Sequence, residues 1–144
     1  MAENLAAEAD VTIRGSLSQV WDALVNPDKI KRYMFGATVE SEWQVGGPIV
    51  WRGQWKGKPF EDKGRILEIQ RQRRLRYSHF SPLSGAPDRP ENYHTVTIQM
   101  DGPDGAVHVE LSQDHNPTEE AREESRRNWT AMLGELKKTV EAES

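Results

Sequence analysis

Ala121, Ser125, Trp129, Met132, Leu133, Leu136 and Val140 recur every three or four positions near the end of this chain. That spacing puts them on one face of a long α-helix. Glu119, Glu120, Glu123 and Glu124 lie near its start and Lys137 and Lys138 near its end, the order the helix dipole favours. Asn116 and Thr118 are both N-cap candidates. The face holds an indole, a flexible thioether and the small Gly134 close together, so it is apolar but uneven. Such a stripe must be buried against something flat or concave, and the alternating residues upstream point to a twisted antiparallel sheet. The Trp and Met of the stripe either pack solidly or line a cavity.

The upstream pattern supports that sheet. Residues 1–8 read as a flexible lead-in, and Ala9, Val11 and Ile13 then alternate with Asp10, Thr12 and Arg14 as a half-buried strand. Ser16 stands three before Gln19, a capping-box spacing, and Leu17, Val20, Trp21, Leu24 and Val25 follow at helical intervals. Asn26-Pro27 ends this helix and starts a shorter one, with Ile30, Tyr33, Met34 and Phe35 on its apolar side. Strands follow through Val39–Trp43, Ile49–Trp55, Phe60–Ile69, Leu75–Phe80, His94–Met100 and Val107–Leu111. Pairing His79 with His94 also pairs Tyr77 with Val96 and Leu75 with Ile98. Pairing Met100 with Val107 puts Ile98 on Val109 and Val96 on Leu111. All three apolar sets then face one way, as a singly covered sheet requires.

Composition narrows the function. The chain has 144 residues, a one-domain length, with 35% hydrophobic and 29% charged residues and five Trp. That describes a folded domain with a small or partly hollow core. A net charge of −4 argues against nucleic acid as a partner. The absence of cysteine excludes disulfides, thiol catalysis and thiolate metal sites. The first residues carry neither a basic region nor an apolar run, and no segment is long and apolar enough to span a bilayer, so a cytoplasmic location is expected. There is no P-loop, no GxGxxG and no GxSxG motif; Gly46-Gly47 reads as a turn.

Three segments resemble one family. Ser16-Leu17-Ser18-Gln19-Val20-Trp21-Asp22-Ala23-Leu24-Val25-Asn26-Pro27-Asp28 resembles the opening of SRPBCC (START/Bet v-like) domains. Val45-Gly46-Gly47-Pro48-Ile49-Val50-Trp51, Gly64–Ile69 and Arg74–Tyr77 resemble the middle strands of the branch related to the activator of heat-shock protein 90 ATPase, and Asn128–Glu141 is similar to its closing helix. The resemblance spans residues 9–142, as a single domain. It implies an α+β helix-grip fold: about seven antiparallel strands curved around the long C-terminal helix, two short helices after the first strand, and a cavity between sheet and helix. The chain departs from the branch at Tyr33, at Gln70-Arg71-Gln72, at Gly134 and at Val140. It has no room for the separate N-terminal domain of the eukaryotic co-chaperone.

The expected cavity wall is Met34, Phe35, Trp51, Tyr77, His79, His94, Val96, Ile98, Trp129, Met132 and Leu133, each of which reads alternatively as ordinary core. Large aromatics with a few polar groups suit a small hydrophobic or aromatic ligand. His79 and His94, cross-strand neighbours beside the proline-bearing segment Ser81–Asn92, either orient a polar ligand, act as acid and base, or sit at a solvated sheet edge. Two histidines without HxH or HExxH spacing give no metal site, and no cofactor is expected. Asp22, Glu61, Asp62 and Glu68 are read as surface carboxylates, and His108 and His115 as surface histidines. Arg71, Arg73, Arg74 and Arg76 form either a solvated turn or a docking patch. A binding protein is therefore the first reading. A cyclase- or dehydratase-like enzyme is the second, and a co-chaperone-like stress-response module with a chaperone partner the third. The chain is expected to be a monomer or a homodimer, the latter through an exposed Trp43 or Trp55.

Overall fold

The structure, a computed structural model, describes residues 5–34, 36–55, 57–82, 85 and 87–143, the Trp55 side chain excepted. The elements run β1 (Leu5–Ile13), α1 (Leu17–Val25), α2 (Pro27–Tyr33), β2 (Thr38–Ser41), β3 (Pro48–Trp55), β4 (Lys58–Gln70), β5 (Arg74–His79), β6 (His94–Asp101), β7 (Val107–Asn116) and α3 (Glu119–Glu141). Among the described residues the strands form one antiparallel sheet, ordered β1-β7-β6-β5-β4-β3-β2. α3 lies along β1 and β7, with α1 and α2 against it. This is the helix-grip α+β architecture.

Local chemistry explains the helix ends. The Ser16 hydroxyl accepts from Gln19 N–H while the Gln19 side chain accepts from Ser16 N–H, the reciprocal box expected at α1. Asn26 caps α2 with Pro27 in its first turn. Thr118, not Asn116, caps α3 by accepting from Ala121 N–H at 3.0 Å. Asn116 is instead inside the molecule, 3% exposed. Its Nδ2 donates to the carbonyls of Leu5 and Gln113, and its Oδ1 accepts from Ser125 Oγ.

The core fills the space between sheet and helices. Leu133, Leu136 and Val140 of α3 are buried against Ile13, Val20, Val107, Val109 and Leu111. Each such side chain stabilises the fold by about 1.5–3 kcal/mol relative to exposure. Among the described residues no helix is long and apolar enough to cross a membrane.

The β5–β6 register is the one the alternation predicts: His79 opposite His94, Tyr77 opposite Val96, Leu75 opposite Ile98. The β6–β7 register differs by two residues. Met100 faces Val109, Ile98 faces Leu111 and Val96 faces Gln113. The connection is longer than a tight turn because it docks on the start of α1: Gly105 N–H donates to the Gly15 carbonyl and Leu17 N–H to Asp104 Oδ1. A slip of two keeps every apolar side chain on the inner face.

Three further differences concern local geometry. β1 begins at Leu5 rather than Ala9, with Leu5 opposite Asn116 and Ala7 opposite Gln113, because the long β7 and the Asn116 amide supply partners for its backbone. Trp43 lies beyond β2, at φ 55°, an unusual angle for a bulky residue, with its N–H donating to Ser41 Oγ. Its ring is half-buried and packs against the core, so it is not the free surface expected of it. Phe80 stands just past β5, bridged to Lys63.

Candidate functional site

Alternation places the site. β3 brings Trp51 to the inner face, directly opposite Asp62 of β4. Along β4, Phe60, Asp62, Gly64 and Ile66 share one parity, and Ile66 faces Tyr77 of β5. Past Ile66 the strand bulges at Leu67, which is exposed, and Ile69 returns toward the core opposite Leu75. Asp62 and His79 are thereby carried to the same side of neighbouring strands.

These strands, the end of α2 and the middle of α3 border an open pocket of about 190 Å³. Met34 and Ala37 close it from the α2 side. Trp51, Phe60, Asp62, Tyr77 and His79 come from the sheet, and Asn128, Trp129 and Met132 from the helix. The Trp51 ring tilts against Tyr77 at 5.1 Å and meets His79 edge-on at 5.1 Å. The Trp129 indole N–H donates to Gln113 Oε1, which ties the helix's aromatic ring to β7. A smaller void of about 20 Å³ sits deeper, between Trp51, Tyr77, Ile98 and Met132.

The polar groups gather on one wall. His79 Nε2 lies 2.8 Å from Asp62 Oδ2, with side chains 25% and 15% exposed. A carboxylate only accepts, so Nε2 carries the proton and, in the neutral ring, Nδ1 is left as an acceptor. The His94 ring stacks beside His79 with centroids 6.3 Å apart. His94 Nδ1–H donates to the Asp114 carbonyl at 2.8 Å. Burial holds the His94 imidazole below its ordinary value, the Asp114 carbonyl opposes that shift, and the nearby charge of His79 adds to it. Burial pushes the Tyr77 phenol far above its ordinary value, so it stays neutral.

Of the residues expected at the wall, Met34, Trp51, Tyr77, His79, Trp129 and Met132 surround the main cavity. Ile98 reaches only the deeper void. Val96 and Leu133 are sealed in the core, and His94 stands behind His79. Phe35 lies outside the described residues. Ala37, Phe60, Asp62 and Asn128 are additions. Asp62 corrects an expectation: it is an inward, paired carboxylate, which its parity with Phe60 and Ile66 could have revealed.

Other features lead elsewhere. His108 faces outward between Asp10 and Glu110, at 3.3 Å from each. In the arginine cluster, Arg74 is bound to Glu68 and Gln99, and Arg76 to Thr97, while Arg71 and Arg73 are exposed at the turn. Among the described residues no three His, Asp or Glu side chains converge as metal ligands. A groove of about 540 Å³ over the outer sheet face is lined mainly by polar groups such as Glu8, Asp10 and Ser112. The smaller inner pocket joins aromatic walls to the His79–Asp62 pair, whereas a larger surface groove of about 600 Å³ sets Trp21 and Trp43 beside the charged Asp22, Lys29 and Arg71.

The family described as Activator of Hsp90 ATPase homolog 1-like protein matches residues 14–141. The chain belongs to this family. Among solved structures, this Activator of Hsp90 ATPase homolog 1-like chain is similar to protein ChR145 of Cytophaga hutchinsonii. They share 50% identity over 99% of this chain and 97% of that one, with a TM-score of 0.84. It also resembles the Aha1 dimer of Colwellia psychrerythraea, at 16% identity over 94% and 95% of the two chains and a TM-score of 0.71. DynU16, from the dynemicin biosynthetic locus, matches at 12% identity over 96% of this chain and 48% of its own, with a TM-score of 0.79. The last two likenesses show a shared fold. No curated protein matches the chain.

Proposed function

We propose that this protein binds a small aromatic or apolar molecule between its sheet and α3. The observation that carries this reading is the cavity of about 190 Å³ walled by Trp51, Phe60, Tyr77, Trp129 and Met132. An enclosed apolar cavity of about 150 Å³ accepts a benzene ring, so a pocket of about 190 Å³ that opens on one side has room for a molecule of one or two rings. Native mass spectrometry of freshly purified protein, followed by thermal shift with simple aromatic compounds, tests it. A co-purifying mass, or a saturable rise in melting temperature that Ala37→Leu abolishes by filling the space, is expected. Folded protein that carries no mass and responds to no compound would end the reading.

A second reading, acid–base catalysis on the bound molecule, is favoured by the His79–Asp62 pair. A carboxylate that fixes the imidazole tautomer leaves the other ring nitrogen free to take a proton. His79→Ala should then stop turnover of a substrate that it still binds. Turnover that persists in His79→Ala would leave binding as the whole function.

A further inference from the structure

Three spaces adjoin one another through shared walls. The pocket of about 190 Å³ and the deeper void of about 20 Å³ have Met34, Trp51, Tyr77 and Met132 in common. Among the described residues, that void shares Trp43 alone with the surface groove of about 600 Å³ beside α1. The pocket and the groove share no residue. One indole is therefore the wall common to the inside of the molecule and the groove outside. Its ring is half-buried and packs against the core. Its backbone belongs to no strand and is held at φ 55°. A bulky residue stays at such an angle only where its surroundings impose it, and such positions gather at ligand clamps and gates. Here the Trp43 N–H donates to Ser41 Oγ, and the Gly47 N–H closes a turn on the Gln44 carbonyl.

We infer that Trp43 is the end wall of the binding site and sets the length of the molecule it accepts. This rests on the binding role proposed above and adds the residue that limits the ligand. A compact ring system fills the pocket and reaches the void without disturbing the indole. A ring that carries a long alkyl chain has to displace it. With the indole gone, the void opens into the groove, where Val25 and Ile69 offer apolar surface to a chain passing through. The site is thus built for compact aromatic molecules and against long-chain lipids, and one side chain makes the distinction.

The test titrates 4-ethylphenol, 4-butylphenol and 4-octylphenol into the protein by calorimetry. Each methylene that finds an apolar surface is worth about fourfold in affinity. In the unaltered protein 4-octylphenol should bind no tighter than 4-ethylphenol, because its chain meets the indole. In Trp43→Gly, which removes the ring and suits the positive φ, 4-octylphenol should gain at least about tenfold over 4-ethylphenol. Circular dichroism checks the fold. Trp43→Leu, which keeps an apolar side chain in a smaller volume, carries the same comparison if the glycine variant does not fold, with 4-butylphenol as the probe that gains. Adding Ala37→Leu to the Trp43 variant fills the pocket and should abolish the gain. An affinity that already climbs with chain length in the unaltered protein, or no gain in a folded Trp43 variant, would overturn the end wall and leave the binding reading standing. A gain that survives Ala37→Leu would overturn it too, since the chain would then lie in the groove alone. Failure of all three probes to bind the folded, unaltered protein would overturn the inference together with the reading beneath it.

Discussion

The carbonyl oxygen of Ser78 occupies the place a β-carbon on Gly64 would need, 1.7 Å from its ideal position. The two strands that carry Asp62 and His79 approach this closely only because residue 64 has no side chain. Gly64→Ala is therefore expected to destabilise the fold by roughly 3 kcal/mol, since backbone rather than a flexible side chain must move. Urea unfolding measures the loss, and the His79 imidazole resonances report the displaced Asp62. A variant as stable as the parent would show that the strands can separate at no cost.

Gly134 makes the opposite case. A β-carbon there meets nothing within 4 Å, and the residue lies inside α3. Gly134→Ala should stabilise the protein by about 0.5–1 kcal/mol, through the entropy glycine loses in a helix. Thermal and chemical unfolding of this variant beside Gly64→Ala separates conformational entropy from steric demand.

Asn116 joins three elements through one side chain: β1 by the Leu5 carbonyl, β7 by the Gln113 carbonyl and α3 by the Ser125 hydroxyl. Asn116→Ala should cost about 1–3 kcal/mol, because it leaves buried partners unmatched. Amide exchange should rise first in residues 5–8. Unchanged protection there would mean that the strand backbone alone holds that end.

His94 predicts a pH dependence. Its folded value lies below the ordinary 6.5, mainly because the ring is buried. Between those two values the unfolded chain binds the extra proton and the folded chain does not. Stability therefore rises with pH across that window and falls as acid is added, with no contribution from this group above it. His94→Gln should flatten this part of the stability curve, measured by urea unfolding over a pH series. A slope left intact by the substitution would assign it to another group.

How much of this was legible beforehand depended on the kind of information each feature carries. Alternation put Leu75, Tyr77, Val96 and Ile98 on one face, and pairing the strand ends His79 and His94 selected, among registers two residues apart, the one that the structure shows. The β6–β7 pairing was ambiguous by two residues, since a shift of two moves no side chain across the sheet. What decides it is a tertiary contact, the docking of Gly105 and Asp104 on Gly15 and Leu17. Asp62 was misread because a charged residue is assigned to the surface by composition, although its parity put it inside. The size of the cavity was not legible at all: it depends on how far the helix stands from the sheet, a property of many side chains together.

Every strand from β2 to β6 pairs with its successor along the chain, whereas β1 pairs with β7 alone. Ile13 of β1 lies opposite Val107, and the Arg14 N–H reaches back to Glu141 at the end of α3. The ribosome thus makes the first strand long before its mate. A nascent chain can zip its meander together as it emerges, but its opening segment waits, unpaired, until nearly the whole message has been read. Completion of the sheet is in this sense a check on the far end of the chain: a product cut short before β7 has no strand for β1 to join and no helix to cover the apolar face.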